Sequence, residues 1–226
     1  MKKIGMIVAL ENELLPLLEG LKVKLTTEKR GAYKAVIFKI GQNEVICVNS
    51  GVGEISAAAA TQYLITAYNP DFIINFGVCG SLKKELGLKT VVFVKGVVHY
   101  DFDTSAVDKC EVGKYEGYDS VVIPVNEVLL KSALSADSGV QTVICASGDK
   151  FIADESVKSK LAETYGASIC EMESAGVVLT ADKNCVPCLI VKAVSDAEGG
   201  AADYRTFMRD AAKRYVDFLI KFITLQ

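Results

Sequence analysis

Tryptophan is absent from this chain and histidine occurs once, as His99. A single imidazole leaves Ser-His-Asp and Cys-His catalysis with little to work from, although His99 falls at a strand end where it can line a cleft. Arginine is almost as scarce. Arg30 lies in a predicted loop and Arg205, Arg209 and Arg214 share the last helix, so no convergent set presents itself for bidentate phosphate contacts. There is no GKS or GKT phosphate loop. Gly51-Val52-Gly53 leads into a helix but has Ser56 where a dinucleotide fingerprint needs its last glycine, so these glycines read as tight turns leaving strands. Nicotinamide and nucleoside-triphosphate chemistry have no motif here, and no cofactor is expected.

Long apolar runs are missing too: none reaches the roughly 18 residues of a membrane span. Lys2-Lys3 before Ile4–Leu10 imitates a leader peptide. Glu11 and Glu13 follow at once, with no small-residue cleavage site, so the run reads as a buried first strand. A basic surface is lacking as well. The 25 Lys+Arg against 28 Asp+Glu leave a net charge of −3, which argues against nucleic acid as a partner. No linker, low-complexity run or repeat divides the 226 residues, so a single domain over residues 1–226 is expected.

What the chain does hold is apolar residues, 50 % of the total, enough for a proper core. Its seven cysteines, an odd number set mostly in apolar segments, are expected as reduced thiols packed in a cytoplasmic protein. Cys185-Val186-Pro187-Cys188 has redox or metal-ligand spacing. It is a lone pair at the entry of a buried strand, whereas structural zinc wants four ligands, so no metal site is expected.

Val/Ile-rich runs recur at Ile4–Ala9, Val45–Val48, Phe72–Phe76, Val91–Val98, Val140–Cys145 and Cys188–Val194, the pattern of strands buried on both faces. Helices are predicted over Glu54–Tyr68, Asp154–Tyr165 and Ser174–Lys183 from their stop residues. One long amphipathic helix, Tyr204–Phe222, is predicted from Phe207, Ala211, Tyr215, Phe218 and Phe222. Ala35–Ile40 and Glu44–Val48 read as a hairpin around Gly41-Gln42-Asn43. The fold class is α/β: a single domain with a central mixed, mostly parallel twisted sheet flanked by helices. Polar or glycine-rich segments end most strands: Glu11-Asn12-Glu13, Ser50-Gly51-Val52-Gly53, Gly77-Val78-Cys79-Gly80-Ser81, Ser147-Gly148-Asp149 and Ser195-Asp196. Ligands of open α/β sheets bind beyond the carboxyl ends of strands, so these segments should ring one cleft.

Carboxylates are the candidate chemistry. Glu11 and Glu13 open a helix, where its dipole favours negative charge and where a solvated first-turn acid is the ordinary alternative. Glu171-Met172-Glu173 places two acids where an apolar stretch enters an Ala/Gly/Val helix. Asp196 closes the buried run Leu189–Val194, so it either caps the next turn or faces a ligand.

Taken in order, Ile4-Gly5-Met6-Ile7-Val8-Ala9-Leu10-Glu11-Asn12-Glu13, Ser50-Gly51-Val52-Gly53, Ser147-Gly148-Asp149-Lys150-Phe151-Ile152, Glu171-Met172-Glu173 and Lys192-Ala193-Val194-Ser195-Asp196 resemble the nucleoside phosphorylase superfamily. Within it the chain is most similar to the 5′-methylthioadenosine/S-adenosylhomocysteine nucleosidases. The resemblance covers nearly the whole chain and implies hydrolysis of a purine N-ribosidic bond. It makes Asp196 the acid that protonates the purine, oriented by Ser195, and Glu13 the base that holds the attacking water. It makes Glu173 the residue that grips the ribose hydroxyls. Met172 would pack on the sugar, Phe151 would stack on the purine, and the backbone of Ile152 would read the purine's edge. Val52 and Tyr204 would contact the sugar and the 5′ substituent.

Two departures from that family stand out: Lys192 stands where arginine is usual, and Val78-Cys79 follow the strand Phe72–Phe76 where a small hydroxyl or glycine is common. A lysine keeps the charge and loses the planar fork. A phosphate-dependent phosphorylase is the first alternative, set back by the missing arginines and by Glu13, which would repel the anion. A catalytically silent nucleoside-binding sensor is the second, set back by the joint presence of Glu13, Glu173 and Asp196. The resemblance also implies a homodimer, with Tyr100–Tyr118 as the segment that completes a neighbour's 5′ pocket. The expected partners are a purine nucleoside and water, with neither nucleic acid nor membrane.

Overall fold

The computed structural model describes residues 1–198 and 200–226. Among them ten strands form one mixed sheet: β1 (Lys3–Val8), β2 (Thr26–Arg30), β3 (Tyr33–Ile40), β4 (Asn43–Asn49), β5 (Phe72–Ser81), β6 (Val91–His99), β7 (Ile123–Pro124), β8 (Gln141–Ser147), β9 (Ile169–Glu171) and β10 (Cys188–Asp196). The helices are α1 (Glu11–Leu21), α2 (Glu54–Tyr68), α3 (Ser105–Asp108), α4 (Glu127–Ala136), α5 (Glu155–Tyr165), α6 (Ser174–Lys183), α7 (Ala201–Arg214) and α8 (Val216–Thr224).

The apolar runs become strands because each feeds two cores at once. Along β1, Ile4, Met6 and Val8 join Leu14, Leu17, Ala211 and Leu219 on one face, while Ile7 joins Ala57, Ala60 and Leu64 on the other. β5 splits the same way, Phe72, Ile74 and Phe76 to the first core and Ile73 to the second. Side chains alternating across a pleat require this division. Gly5 marks how tightly α2 lies on β1, since a Cβ there would stand 2.4 Å from Leu64 Cδ2. α2 ends where Asn69 turns left-handed, with φ 47°, ahead of Pro70. The Asp154 side chain caps α5 by accepting from the N–H groups of Ser156 and Val157.

β4, β1, β5 and β10 run parallel in that order. β10 then pairs antiparallel with β6, β6 with β8 and β8 with β9 in parallel, and β9 returns antiparallel to β5. Those last five strands close on themselves, and β1, β4, β3 and β2 extend from β5 as an open arm. The predicted hairpin is the β3–β4 pair.

Two expectations need correction. Gly77–Ser81 was expected to leave its strand, and it stays within β5, which is buried along its whole length. The long C-terminal helix is two helices that meet at Tyr215. The physical reason lies in that residue: its ring is fully buried edge-on to Phe76, centroids 5.4 Å apart, and its hydroxyl donates to the Glu13 carbonyl at 2.8 Å. Holding Tyr215 under α1 bends the chain so that Phe218, Leu219 and Phe222 still reach the core.

Tyr215→Phe keeps that packing and removes the donor. Urea unfolding should show a loss of about 1 kcal/mol, the ordinary net worth of one buried hydrogen bond.

Candidate active site

The carboxyl ends of β1, β5, β9 and β10 meet beneath the start of α7 around a cavity of about 440 Å³, within the size range of small-ligand pockets. Glu13, Val52, Phe151, Ile152, Met172, Glu173, Ser195, Asp196 and Tyr204 all line it. The structure therefore brings the nine residues given a role by the resemblance into one place; Glu11 points away to Lys34 and His99 is engaged by Tyr115 and Asp101, and neither lines the cavity.

Glu13 sits in the first turn of α1 with 3 % exposure. Its Oε2 accepts from the Leu10 N–H at 2.9 Å and its Oε1 from the Val78 N–H at 2.7 Å. Val78 can give that bond because β1 pairs with β5 only as far as Asn75 and β9 joins that edge only at Gly80, leaving the stretch between them unpaired on that side. The departure at position 78 is thus met by a main-chain donor, indifferent to the side chain. Burial pushes the Glu13 carboxyl above its ordinary range, while the two N–H groups and Lys192 pull against the rise.

Asp196 ends β10 with 3 % exposure. Its Oδ1 accepts from the Ser195 hydroxyl at 2.8 Å, and that hydroxyl also lies 3.3 Å from the Cys79 carbonyl. Burial raises this carboxyl too, against the Ser195 bond and the charge of Lys158. The two acids share a support. A Cβ on Gly77 would lie 2.8 Å from Glu13 Oε1, and a Cβ on Gly80 would lie 2.8 Å from Asp196 Oδ2. The glycines of β5 are the spaces into which the carboxylates fit.

Glu173 stands at the N-terminal boundary of α6 and accepts from the Gly53 N–H at 3.0 Å. Burial first, then the neighbouring Glu171 charge, lifts it to about 7. Phe151 is 45 % exposed and meets Tyr204 edge-on, centroids 5.6 Å apart, leaving its ring available at the cavity wall. Cys79, Cys170, Glu171, Lys150 and Arg205 also line the cavity. The resemblance assigns none of these a role, although Glu171 is one of the two candidate acids of Glu171-Met172-Glu173 and Cys79 belongs to a segment that departs from the family.

Lys192 lies under the site, buried, with its Nζ 2.8 Å from Glu171 Oε2. Glu171 also accepts from the N–H groups of Glu173 and Ser174. Burial would raise Glu171, but Lys192 and these donors outweigh it and hold the group below its ordinary value. Glu171 and Glu173 in turn raise Lys192 against the burial that would lower it.

The segment Tyr100–Tyr118 folds on its own chain, with Phe102 stacked on Tyr115 at 4.0 Å. Tyr100 lines a second cavity of about 1060 Å³ that adjoins the first along Lys150, Phe151 and Ile152. All seven cysteines are free thiols. Among the described residues no helix is long and apolar enough to cross a membrane.

A sequence model of the Phosphorylase superfamily matches residues 3–224. The chain belongs to the phosphorylase superfamily. Among relatives within it, an aminodeoxyfutalosine nucleosidase of Campylobacter jejuni is 29 % identical, the match covering 98 % of each chain. A 5′-methylthioadenosine/S-adenosylhomocysteine nucleosidase of Shewanella piezotolerans is 30 % identical over 86 % of each. A solved Helicobacter pylori enzyme of the latter name, complexed with butyl-thio-DADMe-Immucillin-A, superposes with a TM-score of 0.94 at 26 % identity, covering 100 % of this chain and 99 % of that one.

Lys192→Met should strip Glu171 of its counter-charge. Removing one partner of a buried pair costs roughly 3–5 kcal/mol. The Glu171 carboxyl would then rise above its unfolded value of 4.5, so the variant should be relatively more stable at low pH and lose stability as pH climbs past that value. Urea unfolding at acidic and neutral pH measures both effects, and parental stability at neutral pH would refute the pair's importance.

Proposed function

We propose that this protein hydrolyses the N-ribosidic bond of a purine nucleoside, with 5′-methylthioadenosine and S-adenosylhomocysteine as the leading substrates, releasing adenine. The observation that carries this reading is the placement of Glu13 and Asp196 on one cavity, each lodged against its own glycine of β5. Breaking C1′–N9 leaves an electron-poor ribosyl carbon and a purine that departs poorly as an anion. Asp196, its carboxyl raised by burial, gives its proton to purine N7. Ser195 holds the carboxyl in line.

Glu13 takes a proton from water as the water oxygen bonds to C1′ from the opposite side, the division of labour of inverting glycosidases. The electrons of the broken bond leave with the protonated base. Glu173 accepts hydrogen bonds from the ribose hydroxyls and stabilises the positive charge that develops on the ring. Phe151 stacks on the purine, the backbone of Ile152 reads its edge, and Met172 packs on the sugar. Val52 and Tyr204 border the 5′ side.

Water is favoured over phosphate as the nucleophile. Glu13 occupies the attacking side, and Arg205 is the one arginine among the described residues that lines the cavity, too few for a bidentate anion cradle. A binding-only role would leave the attacking-side carboxylate without a task. A homodimer is part of this reading: the larger cavity between Tyr100 and the Phe151 loop offers a place where a neighbour's chain can extend the 5′ wall. The free thiols suit a reducing cytoplasm.

Incubation with methylthioadenosine, S-adenosylhomocysteine and aminodeoxyfutalosine, with and without phosphate, should release the free base in the absence of phosphate. Release that requires phosphate would make the protein a phosphorylase, and no release from any of them would make it a sensor.

The pH profile follows from the two raised carboxyls. Activity should fall on the acid side as Glu13 gains a proton and on the alkaline side as Asp196 loses one. Asp196→Asn should lose about 100-fold or more in kcat while still binding nucleoside. Near-parental turnover in that variant would overturn the acid assignment.

A further inference from the structure

Beneath Glu173 lies a hydrogen-bond arrangement whose protons can be counted. The Ser147 hydroxyl, fully buried at the end of β8, accepts from the Ala175 N–H at 3.1 Å. The same oxygen lies 2.6 Å from Glu171 Oε1 and within hydrogen-bond reach of Glu54 Oε1. A hydroxyl has one proton to donate. It can satisfy one of those carboxylates, and the other contact would set lone pair against lone pair in a dry interior unless that carboxyl supplies a proton itself.

Glu171 cannot be the supplier. It faces the Lys192 ammonium and the N–H groups of Glu173 and Ser174, all donors. Glu54, in the first turn of α2 and 5 % exposed, has one further side-chain partner, the Gly176 N–H on its Oε2. Its Oε1 meets nothing but Ser147 among the described residues.

We propose that Glu54 is a positioning residue that stays protonated in the folded protein, donating to Ser147, which donates on to ionised Glu171, so that the Glu171-Met172-Glu173 turn is fixed with Glu173 facing the cavity. The importance of that aim for turnover rests on the nucleosidase reading; the protonation of Glu54 does not. The surroundings favour a neutral group. Glu171 and Glu173 face Glu54 from β9 and the start of α6, and Asp149, after β8, accepts from the Glu54 N–H. Lys192 is engaged by Glu171, and Tyr100 and Tyr115 stand within electrostatic range from beyond β6. Burial first, then the Glu171 charge, raises Glu54 to about 8. Gly176 fits the same design, since a Cβ there would lie 2.4 Å from the Glu54 carbonyl oxygen and push α6 off α2.

Glutamine is the isostere of a protonated glutamate, and the test uses that. Thermal unfolding of the full-length protein, Glu54→Gln and Glu54→Ala is followed from about pH 5 to about pH 9. A carboxyl raised on folding stabilises fully below its unfolded pKa and loses that contribution as pH rises through the folded one. Wild type should therefore lose ground with pH while Glu54→Gln does not, the gap between them widening by about 5 °C or more across the range. A gap that stays constant, or a Glu54→Gln protein as unstable as Glu54→Ala, would overturn the proposal even if Glu54→Ala fails to fold.

In steady-state assays Glu54→Ala, where folded, should raise KM about 10-fold or more through a misdirected Glu173, and Glu54→Gln should restore it to within about 3-fold. Failure of that rescue in an active wild type would also count against Glu54. Absence of any nucleoside cleavage by wild type would sink the nucleosidase reading, and the widening stability gap would still decide the proton.

Discussion

The buried pair between Lys192 and Glu171 is the constraint on which the site's electrostatics depend. Taking two charges out of water is costly, and a close contact alone seldom repays it. Here the remaining lone pairs of Glu171 are filled by two main-chain N–H groups and the Ser147 hydroxyl, so the ion is solvated by protein. Burial raises Glu54 and Glu173 first and the field of the Glu171 anion adds to it, while Lys192 tempers Glu173 and Glu13. The lysine at this position has a structural task beneath the cavity, and its lack of a planar fork is no handicap for a single close contact with one carboxylate oxygen.

The second constraint is space along β5. Glycine in a strand is entropically unfavourable and packs nothing, so its presence in a buried strand points to a close approach. Gly77 and Gly80 give up side chains where Glu13 and Asp196 come within contact of the backbone. Because both acids rest against one strand that also pairs with β1, β10 and β9, their separation is set by the sheet and not by loops. In the proposed reaction one acid acts at the purine and the other on the far side of the sugar, a division that needs such rigidity, since a shift of about 1 Å can cost 100-fold in rate.

Much of this was legible in the sequence, and the failures have causes. Glu54–Tyr68 and Ser174–Lys183 were read to their last residues because Asn69-Pro70 and Asn184 stop them chemically. In the sequence alone the glycines at 77 and 80 read as strand enders, the usual meaning of such residues, because the carboxylates that fill their space come from sequence positions far away. β2 could not be seen: Thr26–Arg30 is exposed throughout and joins the sheet as an edge, with no apolar alternation to announce it. The break at Tyr215 was hidden because helical spacing continues across it, and only the bond to the Glu13 carbonyl reveals why the axis changes. The acids themselves are legible from their order along the chain, whereas the Ser147–Glu54 contact joins residues 93 positions apart.

An excess of carboxyls over cations in so small a volume is unfavourable for the empty protein, and the proposed reaction gives that excess a purpose. As C1′–N9 stretches, the ribosyl ring gains positive charge between Glu13 and Glu173. Carboxyls that are reluctant to ionise in the free cavity become better anions once that charge develops, because an opposite charge within a few ångströms favours their ionised form. Their attraction is therefore stronger for the transition state than for the neutral nucleoside, which is the condition for raising turnover and not merely affinity. Glu54 stands apart from this exchange: behind Ser147 and walled off by α6, it does not line the cavity, and its proton can stay in place while those nearer the sugar respond.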